Sequence, residues 1–321
     1  MSTAEQPPFP LGPNYGAMFF SMALCVGLYG VTSMQTFLYF VRYQEDVKSL
    51  KFLVISIWLL DTVHQGLVVG GTYNYLVPGF GDYRDFVNIN LPLMVAPLFT
   101  SISGVFVQGF FVRRLAVFWD RKITVPAIWA PAAILQLVVP SVFIWKASNA
   151  PTAVVLDCAS LKATTVSYLA TTSAVDIIIS GSLAYLLSRE RTTGQVRSYE
   201  RVLQRLAIYS INSGAWTAIF SLLAIITFVR LSGNEVYVIF DFPLCPLYCN
   251  ALLANLNVRS YVRSLRKSLD AEMGVIIPSF IDHERRKGHE IKKLSAVVFA
   301  HTVSPSVGEQ TVIEISNRTR I

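Results

Sequence analysis

Between Ile123 and Trp145, and again between Leu206 and Val229, the chain carries no charged residue. Only 15% of its 321 residues are charged and 53% are hydrophobic, too apolar a balance for an ordinary soluble domain. A charge at the centre of a membrane helix costs about 2.5–3.5 kcal/mol on insertion scales, so uncharged runs of this length fit a bilayer. Histidine is also scarce. There are four, and His283, His289 and His301 all fall in the tail, which excludes a hydrolase built on a histidine cluster. No P-loop, G-x-S-x-G or H-E-x-x-H occurs, and no enzymatic activity or cofactor is expected. No basic run is interleaved with aromatics outside the apolar segments, so the net charge of +7 does not point to nucleic acid.

Four cysteines make no disulfide framework, because Cys25, Cys245 and Cys249 lie in apolar runs and only Cys158 falls in a loop. Cys245 and Cys249 are one helical turn apart, but no second pair of soft ligands accompanies them in the sequence, and no metal site is expected. The opening MSTAEQPPFP has no positive region, and the apolar run after it is too long for a cleaved leader, so it reads as a retained first span. No internal repeat is visible, which counts against an inverted-repeat transporter.

What is present is a series of seven apolar runs, each near the ~20 residues needed to cross ~30 Å of hydrocarbon. They predict an all-α integral membrane bundle with spans at about 15–41, 52–76, 91–112, 123–145, 163–187, 206–229 and 236–258, preceded by an outer segment, 1–14. The first, third and fifth loops hold twelve Lys or Arg, and the second, fourth and sixth hold four. By the positive-inside rule the amino terminus lies outside and the carboxyl terminus in the cytosol. Residues 260–321 form the tail. Val258, Val262, Leu265, Leu269 and Met273 give its start one apolar face, with Arg259, Arg263, Arg266 and Lys267 placed to meet the inner leaflet. The alternative is a plain extension of the seventh span. Beyond about residue 277 the composition predicts disorder.

Polar groups inside spans are the functional leads, since they are costly there. Asp61 and His64 share a face of the second span, Asp176 lies deep in the fifth, and Asp241 lies near the outer mouth of the seventh. With Asn212 and Asn250 they are candidates for an internal polar cavity binding a cation, a proton or a basic ligand. The competing expectation is interhelical glue at ~0.6 kcal/mol per hydrogen bond. Asn250, Asn255 and Asn257 on the last span fit packing, and Ser213 and Gly214 permit close helix approach.

The last span, ending at Arg259, excludes two seven-span families. It has no lysine for a retinal Schiff base, and CPLYCNALL replaces the Asn-Pro-x-x-Tyr of rhodopsin-type receptors; the third span ends FFVRR without Asp-Arg-Tyr. WLLDTVH (58–64), SLAYLLSRERTTG (182–194), VLQRLAIYSINSGAWTAIFSL (202–222) and LYCNALLANLNVR (247–259) are a closer guide. On these stretches the chain resembles a large family of seven-span membrane proteins of mushroom-forming basidiomycete fungi, defined by a C-terminal domain of unknown function, here 170–259. Ala251 stands where that family usually has Ser, and Ser213 where it tends to have Thr. The resemblance implies topology and fungal origin, and no activity. Function is therefore expected to be receptor-like or sensory, with an ion or small molecule as ligand and a cytosolic protein at the basic inner loops. The alternatives are a cation- or proton-coupled carrier using Asp61 and Asp176 and, more distantly, an intramembrane enzyme. The plasma membrane is the expected location.

Overall fold

The computed structural model describes residues 11–80, 90–119, 121–149, 159–192, 198–231 and 234–272; side chains at 11, 118, 147, 159–161, 186–192, 198–213 and 260–272 lie outside that description. Among the described residues all regular structure is helical: α1 Leu11–Arg42, α2 Lys48–Leu76, α3 Leu91–Phe118, α4 Thr124–Ser148, α5 Ala159–Thr192, α6 Ser198–Arg230 and α7 Leu244–Glu272. A 3-10 turn, Glu235–Tyr237, and a one-turn helix, Val238–Asp241, precede α7. Six helices are long and apolar enough to cross a membrane, and α6 adds the shorter apolar stretch Gly214–Arg230. Pro97 in α3 and Pro131 and Pro140 in α4 sit inside helices, as membrane helices allow.

The segment expected as one span from 236 is two pieces. Pro243 has no N–H to donate, and the helix restarts at Leu244 with Pro246 in its first turn, where a missing donor costs least. Asp241 therefore stands on the short helix before α7. The exposed backbone around the break is satisfied from α1: the Ser21 hydroxyl donates to the Val238 carbonyl at 2.7 Å, and the Glu235 N–H donates to Asn14 Oδ1 at 2.6 Å.

Successive helices pack in order, α1 on α2 through α5 on α6, and α3 also meets α5. The last span is the centre. Two-thirds of its window, 67%, is buried, against 17% for α4. Leu244, Tyr248, Cys249, Leu252, Leu253 and Leu256 belong to the main apolar cluster with Ile57, Val107 and Phe111. Glu235 lies beside Asn14, and Arg259 beside Asp46, so the last span runs parallel to α1.

The bundle is apolar outside and polar within. Phe20, Phe37, Phe52 and Ile128 are more than three-fifths exposed, while Asp61, His64, Gln108, Gln136 and Asp176 are at most 4% exposed. Water would reverse that distribution; hydrocarbon selects it. The chain divides into two compact units, Met1–Ser264 and Leu265–Ile321. In the second, residues 265–272 are helical and the remaining tail lies outside the described residues, as do the expected disorder there and the side chains of Arg263, Arg266 and Lys267.

Candidate functional site

Two buried polar centres stand inside the bundle, each drawing on the first turns of α7. The first is built on Asp176, about halfway along α5. Gln108 on α3 donates from Nε2 to Asp176 Oδ1 at 2.9 Å, and the Tyr248 hydroxyl on α7 donates to Oδ2 at 2.6 Å. Gln108 and Gln136 on α4 exchange amide hydrogen bonds, both at 3.1 Å, and the Trp129 indole N–H reaches Gln108 Oε1 at 3.4 Å. One carboxylate thus ties four helices. Gly104 faces the Tyr248 ring, and a β-carbon there would reach it at 3.4 Å, about van der Waals contact. A small cavity with about 20 Å³ of room for water borders Asp176, Gln108, Thr217 and Tyr248. One water needs about 10–15 Å³ by that measure, so the space suits a water or a small ion.

The second centre is on α2, whose buried face runs Ile57, Asp61, His64, Gln65, Val68 and Thr72. Asp61 and His64 face Cys245 and Cys249 of α7. The carboxylate oxygen of Asp61 and the two sulfurs lie within 4.8 Å of one another, three metal-ligating atoms at one point. Cys245 Sγ is 3.5 Å from Ser103 Oγ, and Cys249 Sγ is 3.6 Å from the Ile57 carbonyl. Thr32 and Cys245 stand close to Asp61. Neither meets hydrogen-bond geometry, and both Asp61 oxygens and both His64 nitrogens are buried without a partner. Asp241 adds its charge to His64 from the short helix, and its Oδ1 is likewise unpartnered.

The expected residues therefore fall into two groups. Asp61 and His64 meet the cysteines, with Asp241 interacting electrostatically with His64, whereas Asp176 belongs to the glutamine–tyrosine network. Asn250 donates to the Leu28 carbonyl of α1 at 3.0 Å and to Pro246 at 2.8 Å, and Asn257 donates to the Gln35 carbonyl at 2.8 Å. Both bind α7 to α1. Asn212 lies on α6, with its side chain outside the description. Arg259 pairs with Asp46 at 2.6 Å, lies 4.6 Å over the Tyr43 ring and is about one-fifth exposed. Tyr39 donates to the same Asp46 oxygen at 3.0 Å, and Arg114 of α3 donates to Asn255 at 3.2 Å. Sequence reasoning missed Gln108, Gln136 and Tyr248. Their signal was available, since a glutamine within an uncharged span is itself a costly polar group.

The fold and interior define a helical multi-pass membrane protein with a polar core. Residues 172–261 match the model of a family of unknown function (DUF6534). No curated protein and no solved structure matches the chain. The matched residues take in most of α5, α6 and the membrane part of α7. Asp176, Asn250, Asn257 and Arg259 all lie within them; Tyr248 and Pro246 are partners inside the same stretch, while Gln108, Leu28, Gln35 and Asp46 lie outside it.

Proposed function

We propose that the chain is a seven-span membrane protein of receptor-like or sensory type, amino end outside and carboxyl end cytosolic. A small cation or a proton taken up beside Asp176 is reported through α7 to the cytosolic end. The observation that carries this is the Asp176 network, in which one buried acid next to a water-sized cavity bonds to α3 and α7 and, through Gln108, reaches α4. A change in its charge alters hydrogen bonds on several helices at once, and burial makes those bonds strong. At its other end α7 grips the α1–α2 turn through Arg259 and Asp46, so a shift of α7 reaches the first basic loop. That loop and the third and fifth are where a cytosolic protein would dock, in the plasma membrane. The parallel course of the last span and α1 supports an odd number of crossings, and the charge asymmetry of the loops supports the orientation. The resemblance to the fungal seven-span family supports the same topology.

The test uses the full chain in lipid nanodiscs. Its thermal unfolding midpoint is expected to move with pH or with added Na⁺ or K⁺, and Asp176→Asn to remove that movement. An unchanged response in Asp176→Asn overturns the assignment. The cavity also fits a second reading, a carrier that passes the ion on. Asp176-dependent flux into proteoliposomes would select that reading, and binding without flux the sensory one.

A further inference from the structure

We propose that Asp61, His64, Cys245 and Cys249 bind a divalent transition-metal ion, zinc foremost, between α2 and α7. Each helix supplies two ligands from one face, Asp61 and His64 three residues apart and Cys245 and Cys249 four apart. Two-plus-two donation from facing helices is how bundle interiors build metal sites. The Asp61 and cysteine ligand atoms already lie within 4.8 Å of one another, and His64 abuts Cys245. Zinc–ligand bonds of about 2.0–2.3 Å place tetrahedral ligands somewhat under 4 Å apart, so shifts of about 1 Å bring the Asp61 and cysteine atoms to ligand spacing, and His64, which stands outside that group of three, turns in from beside Cys245 as the fourth ligand.

A second, independent observation points to a ligand. Asp61 and His64 are 0% exposed, and all four of their side-chain polar atoms lack a hydrogen-bond partner. Buried polar groups are otherwise paired, and an orphaned carboxylate in a membrane interior is the costliest exception. A cation satisfies both residues together. Two thiolates favour zinc or another soft ion over Mg²⁺ and Ca²⁺, which prefer all-oxygen shells. Binding displaces the two thiol protons; the two thiolates offset the ion's +2 charge, and the Asp61 carboxylate leaves the site with one net negative charge. Ser103, beside Cys245, orients that sulfur from α3. Asp176 is not part of the site, so this assignment and the sensory one stand or fall separately.

The test is Co²⁺ titration of the full chain in nanodiscs after chelator treatment. Wild-type protein is expected to take up one Co²⁺ with thiolate charge-transfer bands and tetrahedral d–d bands, and Zn²⁺ to abolish them. Cys245→Ser/Cys249→Ser should show no bands, and Asp61→Asn or His64→Gln should weaken binding by more than about tenfold. Cys25→Ser, Cys158→Ser and Asp176→Asn should keep the bands. The wild-type spectrum decides the matter even if a variant fails to fold. Absence of thiolate bands in wild type, or their survival in the double cysteine variant, overturns the proposal.

Discussion

Gln108 faces three partners, the Gln136 amide, the Asp176 carboxylate and the Trp129 indole, in the buried interior of the bundle. Gln136→Leu removes both hydrogen bonds between the two amides, leaves a Gln108 N–H unpaired and is expected to cost about 1–3 kcal/mol, read as a lower unfolding midpoint. Tyr248→Phe removes the 2.6 Å bond to Asp176 and should cost a similar amount, about 1.5–3 kcal/mol for a bond to a charged group. If either variant matches wild type in stability, the network does not hold the bundle. The pairing of Asp61 with His64 on one helical face was legible from their spacing alone. Their meeting with Cys245 and Cys249 was not, because it depends on how far α7 is shifted along α2, and apolar runs of similar length permit several registers. Asp176 was legible as a costly residue but not as a bonded one, for the same reason.

At the scale of helices, α5 and α6 close on Gly214, where an added β-carbon would run into the Ser180 side chain. Gly214→Ala gains helix propensity, about 1 kcal/mol. The contact with Ser180 should outweigh that gain and lower the unfolding midpoint. Ser180→Gly in the same chain is expected to restore it, and failure of that rescue would show the helices meet elsewhere. The apolar runs were readable from the scarcity of charge; among the described residues six helices are long and apolar enough to cross a membrane, and the sixth run holds a shorter apolar stretch, Gly214–Arg230. The break before α7 was less readable: Pro243 and Pro246 gave the signal, but only the Ser21 and Asn14 contacts explain how the opened backbone survives. Of the asparagines in LYCNALLANLNVR, Asn250 and Asn257 donate to carbonyls of α1, and Asn255 accepts from Arg114 of α3.

At the scale of the whole molecule, topology is the open quantity, and single-cysteine labelling in a Cys158→Ser background measures it. Thr3→Cys is expected to react with an impermeant maleimide on intact cells, and Ser304→Cys only after permeabilisation; the opposite pattern would invert every loop assignment. Charge asymmetry is what predicts that orientation, since it depends on counts in loops and on no tertiary contact. The central position of the last span has a further consequence for biogenesis. Leu28, Gln35 and Asp46 leave the ribosome early, yet their partners Asn250, Asn257 and Arg259 are synthesised last. The first helices must wait in the bilayer, with Asp46 lacking Arg259, until the end of translation. A nascent chain halted before α7 is then an open shell, a natural client for intramembrane chaperones and quality-control proteases. The segment matched by the family model, expressed alone, would meet the same fate from the other side.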